Sequence, residues 1–315
     1  MLTRIPRALL RRRPTNWTAI FLVSLVCSAY GLPAFAESEA DRERWIPGLS
    51  IYTVGLAEER GATATNDLTG FQDGETTGFS WSIGAEGELA SPVLFNDEWN
   101  TRLVVHGGGG YVLDADDPIT TTGDPGSFPA VSPFQPDADS IENQGTAVRA
   151  QAKPWVLTGG VGAQVEVPIF GRTVYFKPSL EWMYRKDTIQ GILGAGELET
   201  PDVNGNCGPC RLLFINAERE KGYHSMGFGL DASVDGGRSG PLRVRAYASA
   251  RFYYILGDRK SDLVETGTWF VESGGASSRS PNTTTLTARY EREPIHYRIG
   301  VGLRFEWAPD GRRKL

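Results

Sequence analysis

Cysteine and histidine are scarce here, three of each in 315 residues. Cys27 falls in the N-terminal leader described below, so Cys207 and Cys210 alone remain in the mature chain. At most one disulfide can form, which suits an oxidising compartment but not a disulfide-built scaffold. Two cysteines with no histidine nearby make a poor metal site, and no cofactor or metal is expected. Long apolar runs are also missing. The longest, from Ala19 to Val26, is far short of the ~20 residues a helix needs to cross a bilayer. A basic excess is absent as well. The chain carries 32 Lys and Arg against 38 Asp and Glu. Without a basic footprint, a nucleic-acid partner is not expected.

The first 36 residues read as a cleavable export signal: Arg4, Arg7, Arg11, Arg12 and Arg13 with no acid, then the short apolar core, then Ala34-Phe35-Ala36 before Glu37. A retained anchor is the bland alternative. Val26 does not suit a lipobox ahead of Cys27, and Pro14-Thr15-Asn16 does not suit a twin-arginine signal. Cleavage after Ala36 leaves 27 basic residues against 38 acidic ones, a net charge of −11.

Glycine is abundant, 38 residues, and many lie inside apolar segments. That placement suits strands that bend or approach closely. The strongest signal is alternation with period two. From Ile295 to Trp307 the odd positions are all apolar or aromatic, and the even ones are His296, Arg298, Gly300, Gly302, Arg304 and Glu306. The same split recurs around Phe79–Leu89, Leu103–Leu113, Trp155–Val167, Val174–Arg185, Met226–Val234 and Leu242–Leu256; a first strand near Ile46–Leu56 has two faces that are hard to rank. Short links (Ser91–Asn100, Phe170–Arg172, Asp235–Gly240) alternate with long ones rich in Gly, Pro, Thr, Ser and Asp. The pattern predicts an all-β fold: an eight-stranded antiparallel transmembrane β-barrel, an up-and-down meander in residues 37–315. Four long external loops are expected at about 57–78, 114–150, 190–221 and 258–292. Thr268–Val271 and Thr284–Tyr290 could add an outer hairpin or raise the count to ten. A soluble sandwich or barrel also alternates, but its polar face would lie outside, where so many glycines lack a reason.

The terminal strand carries the most specific motif. Arg298-x-Gly300-x-x-Leu303-x-Phe305 resembles the signal that outer-membrane assembly machinery recognises in closing strands. Glu306–Leu315 follow it, whereas most relatives end at the aromatic. The mature chain as a whole resembles the small OmpA-type and opacity-protein-like barrels. That resemblance implies an outer-membrane location, outer-membrane lipids and the assembly machinery as partners, and a monomer. Any extracellular ligand is unknown.

The inward set holds Glu86, Glu88, Glu166, Glu181 and Asp231 with Arg102, Lys177, Arg185, Arg243, Arg245, Arg251, Arg298 and Arg304. Enclosed charges must pair or stay hydrated. A salt-bridged plug is favoured over an ion path, because eight strands leave a lumen that side chains fill. Trp81, Trp155, Trp182, Tyr184, Phe252, Tyr254 and Tyr297 fall at the loop-side ends of strands, and Phe95, Trp99, Phe170, Phe305 and Trp307 at the turn side. Two such bands are the girdles of a membrane barrel. The histidines give little support to an enzyme such as a lipid A deacylase. His224-Ser225 are adjacent, so they point to opposite faces. Cys207-Gly-Pro-Cys210 copies a thioredoxin motif in a loop without the βαβ setting, and a small structural disulfide is the preferred reading. A structural or surface-interaction role carried by the long loops is expected, with a narrow pore as runner-up and a lipid-modifying enzyme third.

Overall fold

Ten strands account for almost all of the computed structural model, which describes residues 42–66, 70–95, 99–113, 140–199, 211–272 and 279–307. They are β1 (Ile46–Asn66), β2 (Gly70–Ala90), β3 (Arg102–Val112), β4 (Ser140–Ile169), β5 (Arg172–Glu199), β6 (Arg211–Ser239), β7 (Leu242–Leu256), β8 (Lys260–Glu272), β9 (Arg279–Arg292) and β10 (Ile295–Trp307). Every pairing is antiparallel. β1 to β7 follow one another, β10 adds to β7, and β10 then pairs with β1 from Gly48↔Glu306 to Ala57↔Tyr297. Eight strands thus close a ring, a membrane-spanning barrel of the predicted kind. The expected export signal, the Cys207–Cys210 pair and much of the expected loop at 114–150 lie outside the described residues.

The outer face of the ring is a band of exposed apolar side chains. Ile51, Leu103, Val105, Val161, Leu180, Phe228, Leu230, Ile299 and Leu303 all stand on it. A continuous exposed apolar belt is covered by lipid rather than water, and a closed ring leaves no unpaired strand edge within it. The turns at one end are tight. Phe170 and Gly171 reverse β4 into β5 with φ of 49° and 75°. Two central residues at positive φ match the twist of paired strands.

At the other end the strands do not stop where the lipid band does. Segments expected to be long loops are largely strand. β1 and β2 stay paired up to Asn66↔Gly70, and β4 and β5 up to Ser140↔Glu199. The remaining pair, β8 and β9, forms a hairpin that does not join the ring. It sits outside the lipid band, where β9 adds to β1 from Arg60↔Arg292 to Asn66↔Leu286. The outer-hairpin form of the last long link is therefore the one adopted. No ladder joins β8 to β6 among the described residues. Side chains bridge them instead: Arg219 donates to the Asp262 carbonyl at 3.1 Å, and Lys221 to the Lys260 carbonyl and to Asp258.

The sense of the alternation explains why these segments read as loops. Below the girdle, charges face in and apolar groups face out. Above it the order is reversed. Ala62, Ala64, Val148, Ala150, Ile189, Ala217, Leu263 and Ala288 make a buried apolar cluster inside the extension. Gln190, Asn216, Arg219, Asp262 and Arg289 stand outside it. Water replaces lipid as the outer solvent, so polar Thr, Gln and charged residues belong there. A bulge in β4 between Ala152 and Val156, where Lys153 and Pro154 lie, marks the change of level. Burial of Ile189, Leu263 and Leu286 contributes roughly 1.5–3 kcal/mol each, which anchors a hairpin that has a full ladder only to β1.

Candidate functional site

The lumen is the richest chemical feature, and it is built in layers. Each of the thirteen charges expected to face inward is buried in the ring. Glycines on the same face make room for large neighbours. A Cβ on Gly84 would meet the Tyr52 ring at 2.5 Å, and one on Gly160 would meet His106 Nε2 at 2.5 Å. This is the reason for the glycines on the polar face. A narrow lumen cannot hold large side chains at every position.

The layer at the turn end holds Arg102, Arg243 and Arg245 with Glu166, Asp235 and Glu306. Arg245 reaches Glu306 at 2.7 Å and Asp235 at 3.1 Å and lies over the Tyr175 ring. Arg102 donates to the Ser91 carbonyl at 2.7 Å, and Asn100 donates to Glu166 at 3.0 Å. Asp235 and Glu306 were not among the expected network residues. Glu306 is on the inward parity of β10, so that signal was available. Asp235 continues the inward parity of Asp231 and Ser233 but fell at the start of the expected short link, whereas β6 runs on to Ser239 and the register shift comes only after Asp235.

The middle layer is the densest. Lys177 lies 2.7 Å from Glu88 and 3.0 Å from Asp231, and Arg304 lies 3.0 Å from Asp231 and 3.3 Å from Glu88. Arg251 faces Glu86 at 3.2 Å, Glu181 at 3.7 Å and Asp231 at 3.8 Å. His106 completes the layer, with Nδ1 2.7 Å from Glu86 and Nε2 3.4 Å from Glu181. Four carboxylates are cross-linked by three permanent cations and one imidazole from six strands.

The third layer lies level with the aromatics of the loop-side ends. Glu58 receives Arg185 at 3.0 Å and Arg292 at 3.0 Å and also pairs with Arg60. Arg292 reaches Asp187 at 2.8 Å, and Tyr290 donates to the same carboxylate at 3.1 Å. Sequence reasoning placed only Arg185 and Arg298 here. It missed Glu58 and Arg60 because both fell in the loop expected from residue 57, whereas β1 continues to Asn66. It missed Asp187, which lies just past the expected strand end at Arg185, and Arg292, which lay in the last expected loop. The apolar cluster then closes the lumen above this layer.

No family model and no curated protein matches the chain. Among solved structures it is similar to the outer membrane protease OmpT from Escherichia coli, at 7% identity and a TM-score of 0.23, over 83% of this chain and 97% of that one. An anion-selective porin from Comamonas acidovorans gives 10% identity and a TM-score of 0.11, over 82% of this chain and 100% of that one. Likenesses this slight carry no argument about activity.

The two histidines outside the middle layer have different surroundings. Ser225 Oγ lies 3.4 Å from His296 Nε2, a pair that the adjacent His224-Ser225 concealed. Both are buried, and Arg292, Arg185 and Arg60 stand close enough to His296 to act on it electrostatically. A nucleophile's base needs a group that orients it, and among the described residues no carboxylate pairs with His296. His224 points to the outside instead, packed 4.8 Å from the Tyr184 ring and 5.9 Å from Trp182. Trp155, Tyr254, Tyr297 and Trp307 are exposed on the outer face, and Trp155 packs edge-on against Tyr111 at 5.3 Å. Beyond the lipid band the outer surface is covered by ion pairs. The Arg289 hydrogen bonds hold the Asp262 carboxyl below its ordinary range, and Lys186 and Lys153 do the same to Glu220. Such exposed pairs add little stability, but they keep the outer surface soluble. Of the assembly motif, Arg298 and Gly300 face the lumen, and Leu303 and Phe305 face outward.

Proposed function

We propose that this protein is an integral barrel of the bacterial outer membrane with a closed lumen, and that its function lies in the part that projects beyond the membrane. The observation that carries this reading is the continuous filling of the interior: three ionic layers and then an apolar cluster. An ion crossing it would have to break several enclosed ion pairs and then cross an apolar constriction, each at high cost. The role is structural or one of surface interaction, through the extended strands and the tips they carry. The exposed aromatics act as girdles, and Arg298, Gly300, Leu303 and Phe305 form the terminal-strand signal read by the assembly machinery. Outer-membrane lipids are the solvent of the ring, the barrel works as a monomer, and Cys207 and Cys210 form a small loop disulfide.

Two measurements test this. Purified protein in a planar bilayer is expected to show no stepwise conductance above baseline at moderate voltage. Sustained channel openings would overturn the closed lumen and install the narrow pore in its place. On intact cells, an epitope inserted at Gly275, between β8 and β9, is expected to be detected, and one at Gly236 only after permeabilisation. The opposite pattern would invert the topology.

A further inference from the structure

The third layer does not balance. Arg60, Arg185, Arg292 and Arg298 contribute four positive charges, and among the described residues Glu58 and Asp187 are its only buried carboxylates. All six side chains are more than nine-tenths buried. Arg185 lies close enough to Arg292 and Arg298, and Arg60 to Arg292, for mutual repulsion. Arginine does not escape such repulsion by losing its proton. The carboxylates of the middle layer are already committed to Lys177, Arg251, Arg304 and His106. A buried excess of two charges, left alone, is very costly.

The free donors show where the compensation belongs. Arg185 spends Nη1 on Glu58, and its Nε and Nη2 have no hydrogen-bond partner. Those two atoms form one edge of the guanidinium, with two parallel N–H groups. That edge is the one that grips two oxygens of an oxyanion. Tyr223, the cross-strand partner of Arg185, also has an unpartnered buried hydroxyl, and Arg298 Nη1 is a buried donor without a partner. Arg298 has no carboxylate within salt-bridge distance among the described residues.

We propose that this layer encloses a small, doubly charged tetrahedral oxyanion such as sulfate or hydrogen phosphate. It is gripped by the Nε–Nη2 edge of Arg185 and receives further hydrogen bonds from Tyr223 and Arg298. The apolar cluster lies above and the middle layer below, so the anion is taken up as the strands close and does not exchange through an open mouth.

The test is refolding from urea into detergent at constant ionic strength, with sodium sulfate, chloride or gluconate as the salt. Sulfate at millimolar concentration is expected to raise the urea midpoint in a saturable way, as binding to the folded state requires. Chloride and gluconate are expected not to do so. Sulfate also stabilises proteins generally. The Arg185→Met, Arg298→Met double variant supplies the correction, because its third layer is neutral. Its midpoint should show only the general, non-saturating slope. Equal responses in the two proteins would overturn the proposal. Equal stabilisation by chloride would also overturn it, since the site would then be a halide site. Should the double variant fail to fold, crystals of the unaltered protein refolded in selenate decide the matter. Anomalous scattering beside Arg185 supports the site, and ordered water there refutes it.

Discussion

Asp231→Ala is expected to destabilise the barrel by about 3–5 kcal/mol, the usual result of removing one partner from a buried ionic cluster. Asp231 is the carboxylate that most cations share. It lies 3.0 Å from Lys177, 3.0 Å from Arg304 and 3.8 Å from Arg251. Its loss leaves three enclosed cations with only Glu86, Glu88 and Glu181 beside them. Alanine offers neither charge nor acceptor. Asp231→Asn should recover only part of the loss, because the amide keeps an acceptor but not the charge. Equilibrium urea unfolding in lipid vesicles measures both. Midpoints unchanged from the parent would mean that water reaches the middle layer and screens it, and the closed interior would lose its main support.

Val161→Arg should be as damaging from the opposite side of the wall. Val161 is half exposed on the outer face, paired with Val105 on β3 and Leu180 on β5, themselves exposed. It stands midway along the part of β4 between Trp155 and Val167. An arginine at the bilayer midplane of a barrel costs about 2–4 kcal/mol. The expected result is a lower unfolding midpoint in vesicles and a smaller heat-modifiable fraction in membranes. Gln190→Arg, on the polar face of the extension, should leave both unchanged. If the two arginines behaved alike, the apolar belt would not be a lipid contact.

Alternation alone revealed the ring. In β10 every second residue from His296 to Glu306 is polar or glycine, and each of them faces the lumen. The contrast is sharp because lipid outside and an ionic interior demand opposite residues. It faded where that demand relaxes. β1 packs Tyr52 and Val54 inward against Tyr247, so apolar residues occupy both of its faces. The extension was illegible for another reason. Its core is made of small residues such as Ala62, Ala64, Ala150 and Ala288, and its outer face of Thr, Gln and charged groups. Those residues are also common in loops, and their sense of alternation is reversed. The layers themselves were hidden too. Parity says that Glu58, Asp187 and Arg292 share an interior, but only register brings residues 234 positions apart into one ion pair.

The shared edge of β1 has a consequence for how wide the barrel is. β10 occupies that edge up to Ala57↔Tyr297, and β9 takes it over from Arg60↔Arg292. Only Glu293 and Pro294 separate the two strands, and the Glu293 amide bonds the Glu59 carbonyl at 3.1 Å, within the same line. β10 therefore cannot slide along β1 unless β9 slides with it. A two-residue slip would keep every side chain on its face, so sidedness alone does not forbid it. Such a slip would alter the shear number, and with it the strand tilt and the radius. The outer hairpin acts as a second vernier on the closing seam. It gauges the diameter of the wall from outside the membrane.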